Sequence, residues 1–303
     1  MSDPRVPISD DVEVVLDAKA TLGEGPSWDD ATGTLIWVDI SGRTVHRFDP
    51  RTKNDDVRPV QQDVGAAVPH PASGGIALAV KDGFALLPSG PGPEELRGPA
   101  EKDQPDARMN DGKCDSRGRF WAGTQRYDLR PSAGSMYRWE LDGTVSRVFG
   151  DITISNGLGW SPDDRTMYFI DTAKCTVDAM DYVPTTGAVS NRRKLVDLPS
   201  PDGGGDGMTV DAEGCLWVAM WDGWAVRRFT PDGALDRIIR LPCSHVTSVC
   251  FGGPDLTDLY ITSGRVNETG PLPPEQLAKE PLAGALFRAR PGIRGLPTHP
   301  YRG

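Results

Sequence analysis

The chain has 303 residues, a formal net charge of −10, 35 glycines and 27 prolines. This acidic balance argues against a nucleic-acid or anionic-membrane partner, because phosphate binding needs clustered lysines and arginines. The sequence contains no stretch of about 18 apolar residues, so no membrane span is expected. The five cysteines are scattered and form no Cys-x-x-Cys pair, which indicates reduced thiols and a cytoplasmic location.

At the N-terminus, residues 1–10 are polar and contain neither a basic patch nor an apolar core. We therefore predict a flexible leader and not a secretory signal. The segment from Val12 to Leu16 has the pattern of a strand without a repeat of its own, and we expect it to pair into the last repeat. No linker divides the sequence, so residues 1–303 are predicted to form a single domain.

Six segments then share one shape: an Asp or Gly turn, an apolar strand, a second turn, and a strand that ends in basic or aromatic residues. Six units of about four strands each predict an all-β fold, a six-bladed β-propeller. A sandwich or a pair of barrels would leave the repeat unexplained. One helix is predicted, from Pro273 to Lys279. The equivalent apolar positions of the six units are Trp37, Ile76, Trp121, Tyr168, Trp217 and Tyr260.

Four polar residues stand in one register ahead of these strands: Glu24, Asn110, Asn156 and Asp206. Residues that are equivalent in a ring of repeats converge on its centre. Two carboxylates and two amide oxygens are therefore predicted to form a hard-cation site on the propeller axis. An Asn-Gly pair such as that at Asn156 is also typical of a tight turn, so the prediction depends on the shared register.

Two further polar residues, Arg108 and Asp111, lie on either side of Asn110. A guanidinium next to an acidic site can pair with the carboxylates, or it can bind a hydroxylated or anionic substrate. Asp206 could both bind a metal ion and accept a proton. The sequence has no Gly-x-Ser-x-Gly motif and no Walker motif, and none of its four histidines stands in the register. These absences argue against a histidine-based hydrolase and a histidine zinc site.

Five motifs together resemble the SMP-30/gluconolactonase/luciferin-regenerating family: LGEGPSW, ARMNDGKCDSRGRFWAGT, ISNGLGWSPDDRTMYFIDT, DGMTVDAEGCLWVAMWDG and LAGALFRARPGIRGLP. The resemblance implies a propeller with one divalent cation held by Glu24, Asn156 and Asp206. It also implies that Arg108, Asn110 and Asp128 contact a sugar lactone. Animal members of the family carry Glu where this chain has Asp128, and many relatives carry Pro where it has Gly205.

The reaction implied by this likeness is hydrolysis of an aldonolactone of the glucono, xylono or arabinono type to the aldonic acid. We expect the cation to polarise the lactone carbonyl, with Asp206 as the first candidate for the general base and Asp111 as the second. Oxygen ligands suit Ca²⁺, Mg²⁺ or Mn²⁺, and similar proteins also take Zn²⁺ or Fe²⁺.

Two alternative functions stay open, a phosphotriester or aryl-ester hydrolase and a non-catalytic calcium-binding regulatory protein. The expected partner is a small-molecule sugar lactone, with no nucleic acid and no membrane, and the expected state is a monomer or a weak homo-oligomer.

Overall fold

The structure is a computed structural model that describes residues 6–198, 203–267 and 270–303. Among these residues it contains five four-stranded antiparallel sheets, one five-stranded sheet and one two-stranded sheet. The strands up to residue 152 are β1 (Ile8–Ser9), β2 (Val12–Leu16), β3 (Gly23–Asp29), β4 (Thr34–Asp39), β5 (Thr44–Asp49), β6 (Asn54–Pro59), β7 (Val64–His70), β8 (Gly75–Val80), β9 (Gly83–Leu87), β10 (Glu95–Pro99), β11 (Ala107–Cys114), β12 (Phe120–Arg126), β13 (Gly134–Trp139) and β14 (Val145–Ile152).

The second half of the chain adds two short helices, a 3-10 turn at Thr172–Lys174 and α1 at Pro274–Lys279, the second of which confirms the predicted helix. Its strands are β15 (Ser155–Trp160), β16 (Thr166–Asp171), β17 (Thr176–Val183), β18 (Ala188–Asp197), β19 (Gly204–Val210), β20 (Leu216–Trp221), β21 (Ala225–Phe229), β22 (Leu235–Arg240), β23 (Val246–Gly252), β24 (Asp258–Ser263), β25 (Val266–Asn267), β26 (Gly270–Pro271) and β27 (Leu286–Ala289).

The sheets form a closed ring, which confirms the six-bladed propeller. Blades one to five consist of consecutive strands from β3 to β22, and the sixth has the order β2-β27-β24-β23. The innermost strands β3, β7, β11, β15, β19 and β23 each pack against those of the two neighbouring blades, and β23 packs against β3 to close the ring. All six apolar marker positions lie on the second strand of their blade, where both faces are buried between blades.

The N-terminal strand joins the last blade, as predicted. In β2, Val12 pairs with Ala289 and Val14 pairs with Phe287 of β27. Residues 1–5 of the predicted leader lie outside the described residues. Part of the rest of this leader is not flexible as predicted but paired, because Ile8 and Ser9 add a parallel strand to the outer edge of blade five.

Every innermost strand contains a β-bulge. The pairing between the first and second strands breaks between Glu24 and Ser27 in blade one and between Gly205 and Met208 in blade five, and the other four blades have an equivalent break. A bulge inserts residues that have no cross-strand partner and turns their side chains. Three of the four polar residues in the shared register, Asn110, Asn156 and Asp206, lie inside these breaks, and Glu24 borders the fourth.

Glycines inside the bulges allow neighbouring innermost strands to approach closely. A Cβ atom on Gly157 would lie 2.7 Å from the carbonyl oxygen of Asp206 and 2.6 Å from Cγ of Met208 in the next blade. A Cβ atom on Gly65 would overlap the carbonyl oxygen of Asn110. The narrow axis therefore requires glycine at these positions, since backbone atoms cannot move aside as a flexible side chain could.

Replacing Gly157 by alanine tests this requirement. We expect Gly157→Ala to destabilise the fold by about 2 kcal/mol, because overpacking against backbone forces the strands apart, and to lower the Tm by roughly 5 °C. Gly90→Ala is the matched control, since a Cβ atom there meets nothing within 4 Å. Equal melting temperatures of the two variants in a thermal scan would contradict the close-approach account.

Candidate metal and substrate site

The N-terminal ends of the innermost strands surround a cavity of about 330 Å³ at one mouth of the axial channel. Five of the predicted site residues line this cavity together, namely Glu24, Arg108, Asn110, Asn156 and Asp206. They come from blades one, three, four and five, so residues up to 182 positions apart in sequence (Glu24 to Asp206) meet at one place.

The two candidate metal-binding carboxylates are buried without a cationic partner. Glu24 is 5% exposed and Asp206 is 4% exposed, and within the described residues neither forms an ion pair. Burial, followed by the charge of Asp111, raises the pKa of Glu24 to about 8. Burial, followed by the charges of Glu24 and Asp111, raises the pKa of Asp206 well above its ordinary value. Two desolvated like charges in one cavity are costly unless a cation neutralises them.

The donor chemistry of this set fits a hard divalent cation. Glu24 and Asp206 supply carboxylate oxygens, and Asn156 supplies an amide oxygen, so all three offer the oxygen ligands that Ca²⁺, Mg²⁺ and Mn²⁺ prefer. Elsewhere in the described residues, the acidic and thiol ligand atoms of Asp211, Glu213 and Cys215 lie close enough together to be considered as a metal site. Arg228 donates to both carboxylates of that group, which explains its charge balance without an ion.

A chain of hydrogen bonds orients the amides of the site across three blades. Arg108 Nη1 donates to Asn110 Oδ1 at 2.5 Å, and Asn110 Nδ2 donates to Asn156 Oδ1 at 2.7 Å. Asn156 Nδ2 then donates to Thr172 Oγ1 at 2.6 Å, and this hydroxyl donates to the carbonyl oxygen of Gly205 at 2.6 Å. The chain ends next to Asp206, so it connects the candidate substrate residues with the candidate metal ligands.

Arg108 is a buried cation that faces several acidic groups. Its Nη1 bonds to the carbonyl of Met109 and to Asn110, and no described carboxylate lies within ion-pair distance of it. Burial lowers the pKa of Arg108. The opposite effect, an increase of this pKa, comes from the nearby Tyr127 and from the carboxylates of Asp63, Glu24 and Asp206. A buried guanidinium without a carboxylate partner is suited to binding an oxygen-rich ligand in the cavity.

Asp111 does not line this first cavity. It lines a second cavity, of about 350 Å³, towards the C-terminal ends of the innermost strands. Its carboxylate accepts the Gly112 amide at 2.7 Å, and burial raises its pKa. Lys113 also lines this second cavity and donates to the carbonyl of Met208 across the channel at 2.7 Å. Asp111 thus adds negative charge beneath the site without lining the cavity of Arg108 and Asn110.

Asp128 does not line the first cavity, although its neighbours Tyr127 and Leu129 do. Its side chain is exposed, its Oδ1 accepts the backbone amide of Arg130, and its Oδ2 lies 3.6 Å from the guanidinium of Arg130. The turn after β12 therefore directs this carboxylate to the rim and not to the lining of the cavity.

Several lining residues were not identified from the sequence. Thr172 and Gln125 are polar residues at or just after the end of a buried second strand, and that position could have indicated them. The Tyr127 hydroxyl donates a hydrogen bond to Asp63 at 2.6 Å, and Asp63 also accepts one from Arg43 at 2.8 Å. Asp63 therefore connects the rims of blades one, two and three. Contacts of this kind between blades leave no local pattern in the sequence.

Comparison with known proteins agrees with this architecture. Residues 22–265 match the SMP-30/Gluconolactonase/LRE-like region. The chain belongs to this family. Regucalcin of Danio rerio is 38% identical over 297 residues, which cover 96% of this chain and 98% of that protein.

Among solved structures, a calcium-binding protein, regucalcin, from Agrobacterium tumefaciens resembles this family member with a TM-score of 0.92 and 30% identity, over 98% of this chain and 100% of that one. A luciferin-regenerating enzyme has a TM-score of 0.88 and 32% identity, over 97% of this chain and 99% of that one. In the described part of this family member, no helix is long and apolar enough to cross a membrane.

The raised pKa values predict how the metal-free protein responds to pH. Below its ordinary pKa, 4.5 for Glu24, such a carboxyl group is protonated in both the folded and the unfolded state, and the fold has its full stability. As the pH rises towards about 8, the group ionises more readily in the unfolded state, so the folded state loses stability. After chelation, we expect the Tm to fall by roughly 5 °C between pH 5 and pH 8. Saturating Ca²⁺ or Mn²⁺ should remove most of this fall. A chelated protein that is equally stable at both pH values would contradict the assignment.

The hydrogen-bond chain predicts that Thr172 supports metal affinity. Thr172→Val removes the hydroxyl that holds Asn156 and leaves the carbonyl of Gly205 without its donor, so we expect the Kd for Mn²⁺ to rise about 10-fold in calorimetric titrations. Thr172→Ser keeps the hydroxyl and should bind as the wild type does. If the valine and serine variants bind Mn²⁺ equally, the network does not position Asn156.

Proposed function

We propose that the protein is a divalent-metal-dependent lactonase that hydrolyses sugar aldonolactones of the glucono, xylono or arabinono type to aldonic acids. The observation that carries the proposal is the pair of buried carboxylates, Glu24 and Asp206, which share one cavity with Arg108, a guanidinium that has no carboxylate partner among the described residues. Membership in the gluconolactonase family supports the same reaction class.

Glu24, Asn156 and Asp206 would hold the cation, and Ca²⁺, Mg²⁺, Mn²⁺, Zn²⁺ and Fe²⁺ are the candidates. A divalent cation in such a site supplies polarisation of an ester carbonyl and stabilisation of negative charge on its oxygen. Its charge would also offset the repulsion between the two buried carboxylates, and for this reason the cost of burying them is compatible with a stable fold.

In the proposed reaction, Asp206 accepts a proton from a water molecule as the water oxygen attacks the lactone carbonyl carbon. The bond between that carbon and the ring oxygen then breaks, and the ring oxygen takes up the proton, which leaves an open-chain acid and a hydroxyl group. Asp206 is preferred to Asp111 as the base because it lines the same cavity as Arg108 and Asn110, whereas Asp111 lines the second cavity.

Arg108 and Asn110 would orient the ring hydroxyls of the substrate. Both are buried, and the hydrogen bond between them fixes their relative position. Preorganised donors of this kind lower the barrier because the substrate is held in the reactive orientation before the chemical step. Asp128 is left out of this proposal, since its side chain is exposed and pairs with Arg130.

A specific observation favours a second function, calcium binding without catalysis. The Danio rerio relative of matching length is named regucalcin, and the similar Agrobacterium tumefaciens protein is described as a calcium-binding protein, regucalcin. Calcium uptake in a protein that opens no lactone would support this alternative. A pH-indicator assay with glucono-, xylono- and arabinonolactone, an aryl ester and an organophosphate, each run with several cations after chelation, distinguishes all these possibilities.

Asp206→Ala tests the proposed base and ligand together. We expect the variant to fold, to lose measurable binding of Mn²⁺, and to open lactones at least about 1000-fold more slowly, because both the ligand and the proton acceptor are removed. Asp30→Ala, which removes an exposed carboxylate, is the control and should behave as the wild type. Full turnover by Asp206→Ala would remove this residue from the mechanism.

A further inference from the structure

Gln125 is a buried side chain of the cavity wall for which the proposed reaction gives no role. It lies near the end of β12, where it is the cross-strand partner of Arg108 in β11. It is 5% exposed and lines the same cavity as Arg108 and Asn110. Its amide makes no hydrogen bond to any residue in the described part of the chain, and its oxygen is fully buried.

An amide in this position is costly for the protein alone. Leaving a buried polar group without a hydrogen-bond partner destabilises the fold, and such groups are rare in native proteins. Because no hydrogen bond fixes the amide of Gln125, rotation about its last side-chain bond can turn either the oxygen or the nitrogen towards the cavity. A ligand that supplies the missing partner would offset the cost.

The pairing with Arg108 indicates which ligand group fits. A guanidinium can only donate hydrogen bonds, whereas an amide can donate and accept. A hydroxyl group could accept from Arg108 and at the same time donate to the oxygen of Gln125. An ionised carboxylate or phosphate could accept from Arg108 and from the amide nitrogen of Gln125, but it has no hydrogen to donate and would leave the buried amide oxygen unpaired. The wall formed by Arg108 and Gln125 therefore matches a hydroxyl group better than an anion.

We propose that Gln125 is a specificity-determining residue that recognises one hydroxyl group of a polyhydroxylated lactone, together with Arg108. This proposal rests on the proposed lactonase function and deepens it, because it names the substrate feature that the cavity selects. Gln125 acts in recognition only, and proton transfer remains with Asp206. The rejected substrates would be lactones that lack the hydroxyl group at that ring position.

The test compares D-glucono-1,5-lactone with its mono-deoxy analogues. The metal-loaded wild type should open the parent lactone at least about 10-fold more efficiently, in kcat/KM, than one of the analogues. In Gln125→Met, which keeps the side-chain length, this ratio should fall to near 1 through loss of activity on the parent lactone. Gln104→Met makes the same change on the exposed surface and should keep the wild-type ratio.

Stability measurements separate recognition from a structural role. Gln125→Met removes an amide that has no partner among the described residues, so its Tm without ligand should equal or exceed that of the wild type. Gln125→Leu provides a second apolar variant with the same expectation. A clear fall in the Tm of both variants, or an unchanged preference among the lactones, would overturn the proposal.

Failure of the proposed function can be told apart from failure of this inference. If the wild type opens no lactone, the lactonase function is wrong, and calorimetric titration with D-gluconate and its mono-deoxy analogues still tests Gln125. A preference for D-gluconate over one analogue that Gln125→Met abolishes would support recognition by Gln125. Equal binding of all these ligands by the wild type, or a preference that survives in the variant, would contradict it.

Discussion

The close approach of six innermost strands around one axis is the constraint on which the rest of this structure depends. The strands can meet there because each contains a β-bulge, and because glycines such as Gly65 and Gly157 remove the Cβ atoms that would collide with the next blade. The same bulges release side chains from the regular alternation of a strand. A single backbone device therefore both closes the ring and directs polar groups into its centre.

The charges collected on the axis explain why this centre suits a cation. Glu24, Asp111 and Asp206 are buried acids, and the buried Arg108 and the partly buried Lys113 are basic residues that line the same channel. Three carboxylates and two cations leave one negative charge when all are ionised. Glu24 and Asp206 have no ion-pair partner among the described residues. A bound divalent ion would add two positive charges and make the net charge of the channel positive. The resulting site could stabilise negative charge on a substrate oxygen.

The ring could be predicted from the sequence because its repeat follows from how the blades pack together. Each second strand must be apolar on both faces to be buried between blades, so Trp37, Trp121 and Trp217 recur at similar spacing and mark the blades. The shared register also brought Glu24 and Asp206 to one cavity, since equivalent positions of a ring face its axis. The bulges were not predicted, because the pattern of apolar residues does not report the hydrogen-bond register.

Side-chain direction and contacts between blades account for what the sequence did not reveal. Asp128 was expected to contact the substrate, but the turn that follows β12 places it on the exposed rim next to Arg130. Thr172 was missed because its partners, Asn156 and Gly205, belong to other strands. Gln125 was missed because an unsatisfied amide can be identified only when its surroundings are known.

We propose that Glu24, Asn156 and Asp206 bind one divalent ion on the propeller axis. The most direct measurement is an anomalous difference map from crystals soaked with Mn²⁺. We expect one strong peak in the cavity, within about 2.0–2.6 Å of oxygens from all three side chains. A peak elsewhere, for example at Asp211 and Glu213, together with no density on the axis, would contradict it.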